Sequence, residues 1–369
     1  MNAALARRVI TAALLAIGLT SIAACSVAGS PEAARIPVAA IVMSDPMSGI
    51  AVWPSGSRWL LLGTTDGWRT VTNRTPAAVP TDGGLVVAAR GAQIAIGVLP
   101  FEHLTVSPVL FSRGSGRTWI PTQLPGALAA MPHALARASG STIALLANGD
   151  VVSIRDGQSL WHQVTSAESL DPDGHLVLTG LSVPDGSTVV VTASGPASGP
   201  VIFTSADDGA TWSAIAIVVA AGSANANSDA TATALMLCLA GSIWVASVEV
   251  GDHLVVFTAP RLTGPWVAGP PLSSPLIPAV ACSLHRVWVA VGSGDSDMLF
   301  TSSPGGPWVT QGDLGMRIES LAPVSDTSAM LAGSGPTRLA SVDIAGGLVV
   351  TSVDLPPWVA TVGGTSMRG

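Results

Sequence analysis

Lysine and tyrosine are absent from the 369 residues, cysteine occurs three times, and charged residues make up only 11%. The sixteen basic residues are all arginine, set against 23 acids, so the formal charge of −7 argues against a nucleic-acid partner. Few Glu and no Lys leave little of the usual helix-favouring surface. Forty glycines, 27 prolines and a 48% hydrophobic content favour an all-β chain with a large core. No G-x-S-x-G elbow, phosphate-cradling loop or dinucleotide fingerprint is present, so neither cofactor chemistry nor a catalytic residue is indicated. His133, His162, His175 and His285 lack the close spacing of a zinc site, and no metal is expected.

The one long apolar run is N-terminal. Arg7 and Arg8 precede sixteen uncharged residues, Val9 to Ala24, and then Cys25. That run falls short of the roughly 20 residues a membrane-spanning helix needs and has the order of a removable export signal. Ile22-Ala23-Ala24-Cys25 resembles the lipobox of bacterial lipoproteins, which implies lipidation of Cys25 and a location on the extracytoplasmic face of the cell membrane. The expected organisation is a signal peptide over 1–24, a lipidated cysteine and flexible tether over 25–39, one domain over 40–363 and a tail over 364–369.

Within the domain one unit recurs. Its fullest copy runs Ser205-Ala-Asp207-Asp208-Gly209-Ala-Thr211-Trp212 after the apolar stretch Val201-Ile-Phe-Thr. A second keeps Ser112, Gly116, Thr118 and Trp119 but has Gly114 at the aspartate position. Looser copies end at Trp68, Trp161, Trp266 and Trp308, and a seventh ends at Leu348. The markers recur every 40 to 54 residues, the size of a four-stranded blade. Serine and aspartate side chains can bond a turn's own amides while glycine supplies positive φ, leaving the tryptophan to pack between blades. The pattern resembles the Asp-box of sialidase-like and related β-propellers. It implies an all-β fold, a single seven-bladed propeller, in which Ser205, Asp207, Gly209, Thr211 and Trp212 are structural.

Arg35-Ile36-Pro37 looks like the arginine element of the sialidases, but their tyrosine nucleophile has no counterpart here, which excludes that mechanism. The loops joining second to third strands share the face opposite the Asp-box turns. They place Glu102, His103, Glu249, Asp252, His253, Asp295 and Asp297 as candidates for a ligand face. Cys238 and Cys282 each stand six residues before a tryptophan in consecutive units and are candidates for a disulfide closing a 44-residue loop. Repetition without a catalytic set points to a monomeric, lipid-anchored module that binds a protein, peptide or envelope glycan. The exported Asp-box propellers that help build membrane complexes are one variant of that reading. An envelope glycoside hydrolase using paired loop carboxylates is the alternative.

Overall fold

A computed structural model describes residues 40–55, 58–77, 84–98, 109–122, 131–195, 199–217, 232–250, 252–274, 279–293, 295–333 and 339–360. The chain divides into Met1–Ile36 and Pro37–Gly369, and every described residue belongs to the second unit. No helix among the described residues is long and apolar enough to cross a membrane. Residues 1–24, expected to form a signal peptide, and Cys25, Arg35, Glu102 and His103 lie outside the described set.

Seven antiparallel sheets, each built from one contiguous stretch of chain, form a β-propeller. The innermost strands are Ala40–Met43, Leu85–Arg90, Pro132–Arg137, Val177–Ser182, Ala232–Ala240, Ala279–Cys282 and Ile318–Pro323. Each lies against the next, and the seventh lies against the first, which closes the ring. Blade five departs from four strands only at its rim. There Val267–Ala268 and Leu272–Ser273 both pair with His253–Ala259, so a broken outer strand occupies the usual fourth position.

All seven markers fall between the third and fourth strands of their blades. Each packs into the apolar cluster shared with the preceding blade: Trp119 against Ile50 and Leu61, Trp161 against Val86 and Val109, Trp212 against Ile143 and Val151. Trp266, Trp308 and Leu348 repeat this in blades five to seven, and Trp68 joins Met330 and Leu339 across the interface of blades seven and one. Three of these indoles also donate to the preceding blade, Trp119 to the Arg74 carbonyl at 2.8 Å, Trp161 to Thr122 Oγ1 at 2.6 Å and Trp308 to the Pro270 carbonyl at 2.9 Å. A sheet that is apolar on both faces gains stability only when neighbours cover it, and the marker is the residue that finishes the cover.

The Ser205–Trp212 turn of blade four forms through its own side chains. Asp207 accepts from the Thr211 amide and hydroxyl at 2.9 and 2.7 Å, and Ser205 Oγ accepts from the Gly209 amide at 2.8 Å. These donors, with Thr211 Oγ1 first, hold the Asp207 carboxyl down to about 2. Blade one contains the same network: Thr70 donates to Asp66 at 2.9 and 2.7 Å, and the Trp68 amide donates to Thr64 Oγ1 at 2.9 Å. The sequence reading aligns Trp68 with the marker tryptophan, but the hydrogen bonds place it in the glycine position of the box, three residues earlier. Trp68 accordingly has φ of 67°, against 93° for Gly209, and Val71 stands where Trp212 does.

Innermost strands and their turns are also tied blade to blade. Ser139 donates from its amide and hydroxyl to the Gly186 carbonyl, both at 2.9 Å, and Ser182 Oγ donates to the Leu237 carbonyl at 3.4 Å. Cys238 and Cys282 form a disulfide between blades five and six, with Cα atoms 6.0 Å apart. Asp326 accepts from Ser283 Oγ and the His285 amide, both at 2.8 Å, and the Ile41 amide donates to Ser320 Oγ at 3.1 Å across blades seven and one.

Candidate functional site

Antiparallel connectivity sends the first-to-second turns to the same face as the third-to-fourth turns and the second-to-third turns to the opposite face. The opposite face is the more acidic, since Asp150, Glu168, Asp173, Asp252, Asp295 and Asp313 stand there among the described residues against Arg58 and Arg317.

The described ligand-face candidates do not assemble into one centre. Asp252 and Asp295 are exposed, and Asp252 pairs with its neighbour His253 at 2.5 Å. Glu249 is half-buried on the second strand of blade five, in register between Thr233 and Leu254. Asp297 is only 5% exposed, and its Oδ2 accepts from the Ile318 amide at 2.7 Å. Its backbone exchanges two further bonds with Met316 and Leu314, so it staples the link from blade six to blade seven. Burial pushes its carboxyl up, and the Ile318 amide and Arg317 only partly offset that. Among the described residues, the three metal-type side chains with ligand atoms within 4.8 Å of one another are Asp171, Asp173 and His175, outside the candidate set. One Asp171 oxygen is already bonded by the Leu176 amide at 2.6 Å.

A broad depression among the described residues opens instead on the face of the third-to-fourth turns. It encloses about 770 Å³ and is lined by the first-to-second turns of blades four, five, six and seven. Apolar side chains supply part of its wall, namely Pro184, Leu239, Leu284 and Val324, and Leu284 is 63% exposed. Polar groups fix the turns themselves. Asp185 accepts from the Ser187 and Thr188 amides at 2.8 and 2.6 Å and from Thr188 Oγ1 at 2.6 Å. Ser325 Oγ accepts from the Thr327 and Ser328 amides at 3.1 and 3.0 Å. Asp326 additionally bonds His285 Nδ1 at 2.8 Å, joining two turns of the rim. Burial works to raise the Asp185 and Asp326 carboxyls, yet both lie below the ordinary carboxylate value because these donors outweigh it. The rim is therefore charged and pre-ordered. Sequence reasoning passed over it, although Pro184-Asp185-Gly186-Ser187 and Ser325-Asp326-Thr327-Ser328 are legible as turns.

No protein-family model and no curated protein matches the sequence. Solved structures do match in fold. One is YCF48 bound to D1 peptide, 18% identical with a TM-score of 0.56 over 86% of this chain and 94% of that one. YCF48 from Cyanidioschyzon merolae is 15% identical, with a TM-score of 0.52 over 85% and 94%. A puromycin hydrolase S511A mutant complexed with PGG is 15% identical, with a TM-score of 0.58 over 89% of this chain. This chain spans only 56% of that hydrolase. These likenesses establish the propeller fold.

Proposed function

We propose that the chain is a non-enzymatic binding module, held on the extracytoplasmic face of the membrane by a lipid on Cys25, that engages a polypeptide segment at the axial depression. The observation that carries this reading is the depression itself, a concave surface framed by turns of four consecutive blades. Its apolar wall and fixed polar rim match the anatomy of peptide sites, where a pre-ordered receptor avoids the entropic cost of ordering loops on binding. A propeller of the same fold has been solved with D1 peptide bound, which supports a peptide as occupant. The order of Arg7, Arg8, the apolar run and Cys25 supports the anchor.

The test is selection of a random dodecapeptide library against the full chain in detergent, followed by titration of enriched peptides. Enriched peptides should bind with micromolar Kd, and Leu284→Asp should weaken them at least about tenfold by placing charge in the apolar wall. No enrichment, or equal binding by the variant, would sink the reading. A glycan array run in parallel would reassign the occupant if it alone gave saturable binding. Cys25→Ala should move the protein from the membrane to the soluble fraction; unchanged retention would refute the lipid anchor.

A further inference from the structure

The charges of the axial depression are unbalanced. Its rim carries two carboxylates, Asp185 on the first-to-second turn of blade four and Asp326 on that of blade seven, and no arginine lines it. Burial works to raise both carboxyls, yet hydrogen bonds bring them below the ordinary value, so both are ionised at neutral pH. The donors are amides, hydroxyls and one imidazole, from Ser187 and Thr188 at Asp185 and from Ser283 and His285 at Asp326. Amides and hydroxyls hold a negative charge in place without cancelling it. Asp156, elsewhere on the same face, has Arg137 as its counter-ion at 2.9 Å, whereas among the described residues neither rim carboxylate has an arginine partner.

The hydrogen bonds also limit what kind of cation fits. An ionised carboxylate offers about four acceptor positions, roughly two on each oxygen. Asp326 Oδ1 takes both Ser283 Oγ and the His285 amide, while Oδ2 takes only the imidazole. Asp185 Oδ1 takes the Ser187 amide and hydroxyl and the Thr188 amide, while Oδ2 takes Thr188 Oγ1 alone. Each carboxylate keeps room for one further donor on Oδ2, which suits a compact ammonium better than the two parallel bonds of a guanidinium fork. Beside Asp326 stand Leu284 and Val324, apolar surface against which an aliphatic stem and its neighbours can lie.

We infer that the depression selects a lysine-bearing polypeptide segment, with the ammonium donating to Asp326 Oδ2 and apolar neighbours of the lysine packed against Leu284 and Val324. This rests on the depression being a peptide site and names the chemistry of its ligand. Asp185, at the blade-four end, adds attraction at longer range. The chain has no lysine of its own, so a second copy cannot supply the segment and the partner is another protein.

The experiment takes the tightest-binding dodecapeptide from the library selection, N-acetylated, and titrates it into the full chain in detergent beside versions in which its lysine is replaced by Arg, Gln or Glu. Lysine should recur among the enriched peptides. Its replacement by Gln should weaken binding about tenfold, as loss of one charged hydrogen bond predicts, with Arg intermediate and Glu weakest. Added salt should narrow these differences. Asp326→Asn, whose side-chain oxygen can still accept from Ser283, should abolish the preference for Lys over Gln and leave the Gln peptide unaffected. Asp343→Asn, an exposed acid on the same face outside the depression, should change nothing. Enriched peptides without lysine, equal binding of the Lys and Gln versions, tighter binding of the Arg version, or an undiminished preference in Asp326→Asn would each overturn the inference. A gain in affinity on freeing the N-terminus of the Gln version, up to that of the lysine peptide, would reassign the ammonium to a chain terminus and overturn the choice of lysine. If charge makes no difference while Leu284→Asp still weakens every peptide, the peptide site stands and only its selectivity falls; if no peptide binds, both fall.

Discussion

Trp68 provides the sharpest test of how the blades are built, because two effects of known sign oppose each other there. The side chain is 4% exposed within the cluster that joins blades seven and one, and its Nε1 lies 3.3 Å from Met43 Sδ. Truncation should cost about 3–5 kcal/mol, as for other buried large-to-small changes. The backbone, however, sits at φ of 67°, a left-handed conformation costing roughly 1–2 kcal/mol for a residue with a Cβ. Glycine removes that strain and gives back about 0.5–1 kcal/mol in chain entropy. Trp68→Gly should therefore be destabilised by about 2–4 kcal/mol, yet be more stable than Trp68→Ala by about 0.5–1 kcal/mol. At Trp212, which is not among the positive-φ residues, only the entropic term operates and the order should reverse. Equilibrium urea unfolding of the four variants reads both differences directly. If alanine ranks above glycine at both positions, Trp68 does not occupy the position of Gly209 and the register derived for blade one is wrong.

Two further expectations concern the ring's cross-links. Replacing Cys238 and Cys282 by serine releases a 44-residue loop and should lower stability by about 3–4 kcal/mol in oxidising buffer, with no effect once wild type is reduced; a denaturation midpoint insensitive to both changes would contradict the bond. Asp156→Asn should cost about 2–3 kcal/mol at neutral pH, less than for a fully buried pair because Asp156 is 23% exposed. Burial alone would raise the Asp156 carboxyl, but the Arg137 hydrogen bond and charge bring it below the ordinary value of 3.8. Its contribution is therefore complete above about pH 4 and fades as pH falls through the lowered value, so wild type and variant should converge in acid. A constant gap across that range would show that Asp156 acts through packing rather than charge.

The period of the fold was legible because its markers are single residues doing the same packing task seven times. Each marker closes an interface with the preceding blade, so it recurs at blade spacing whatever the rest of the blade contains. Blade one was misregistered for a physical reason: Trp68 performs the marker's packing task from the glycine position, and its identity hid its backbone conformation. The sites were less legible because they are non-local. The depression gathers turns from Pro184 to Asp326, and the Arg137–Asp156 pair of blade three is completed by Gln93 and Phe111 of blade two. Asp297 looked like a free turn carboxylate, whereas its role depends on the Ile318 amide 21 residues further along.

The interface between blades seven and one has a consequence for how this ring could be rewired. Blade one takes its strands from Ala40–Asn73 and blade seven from Ile318–Ser352, so no strand is lent across the join. What holds it is side-chain packing, helped by Val353, Leu355 and Val359 beyond the last strand, and the bond from Ile41 to Ser320. Energetically that join is an interface of the same kind as the other six. A circular permutant that links the two ends and opens the chain between Ser166 and Val177 should therefore assemble the same propeller, and the starting blade becomes a matter of gene order rather than of architecture.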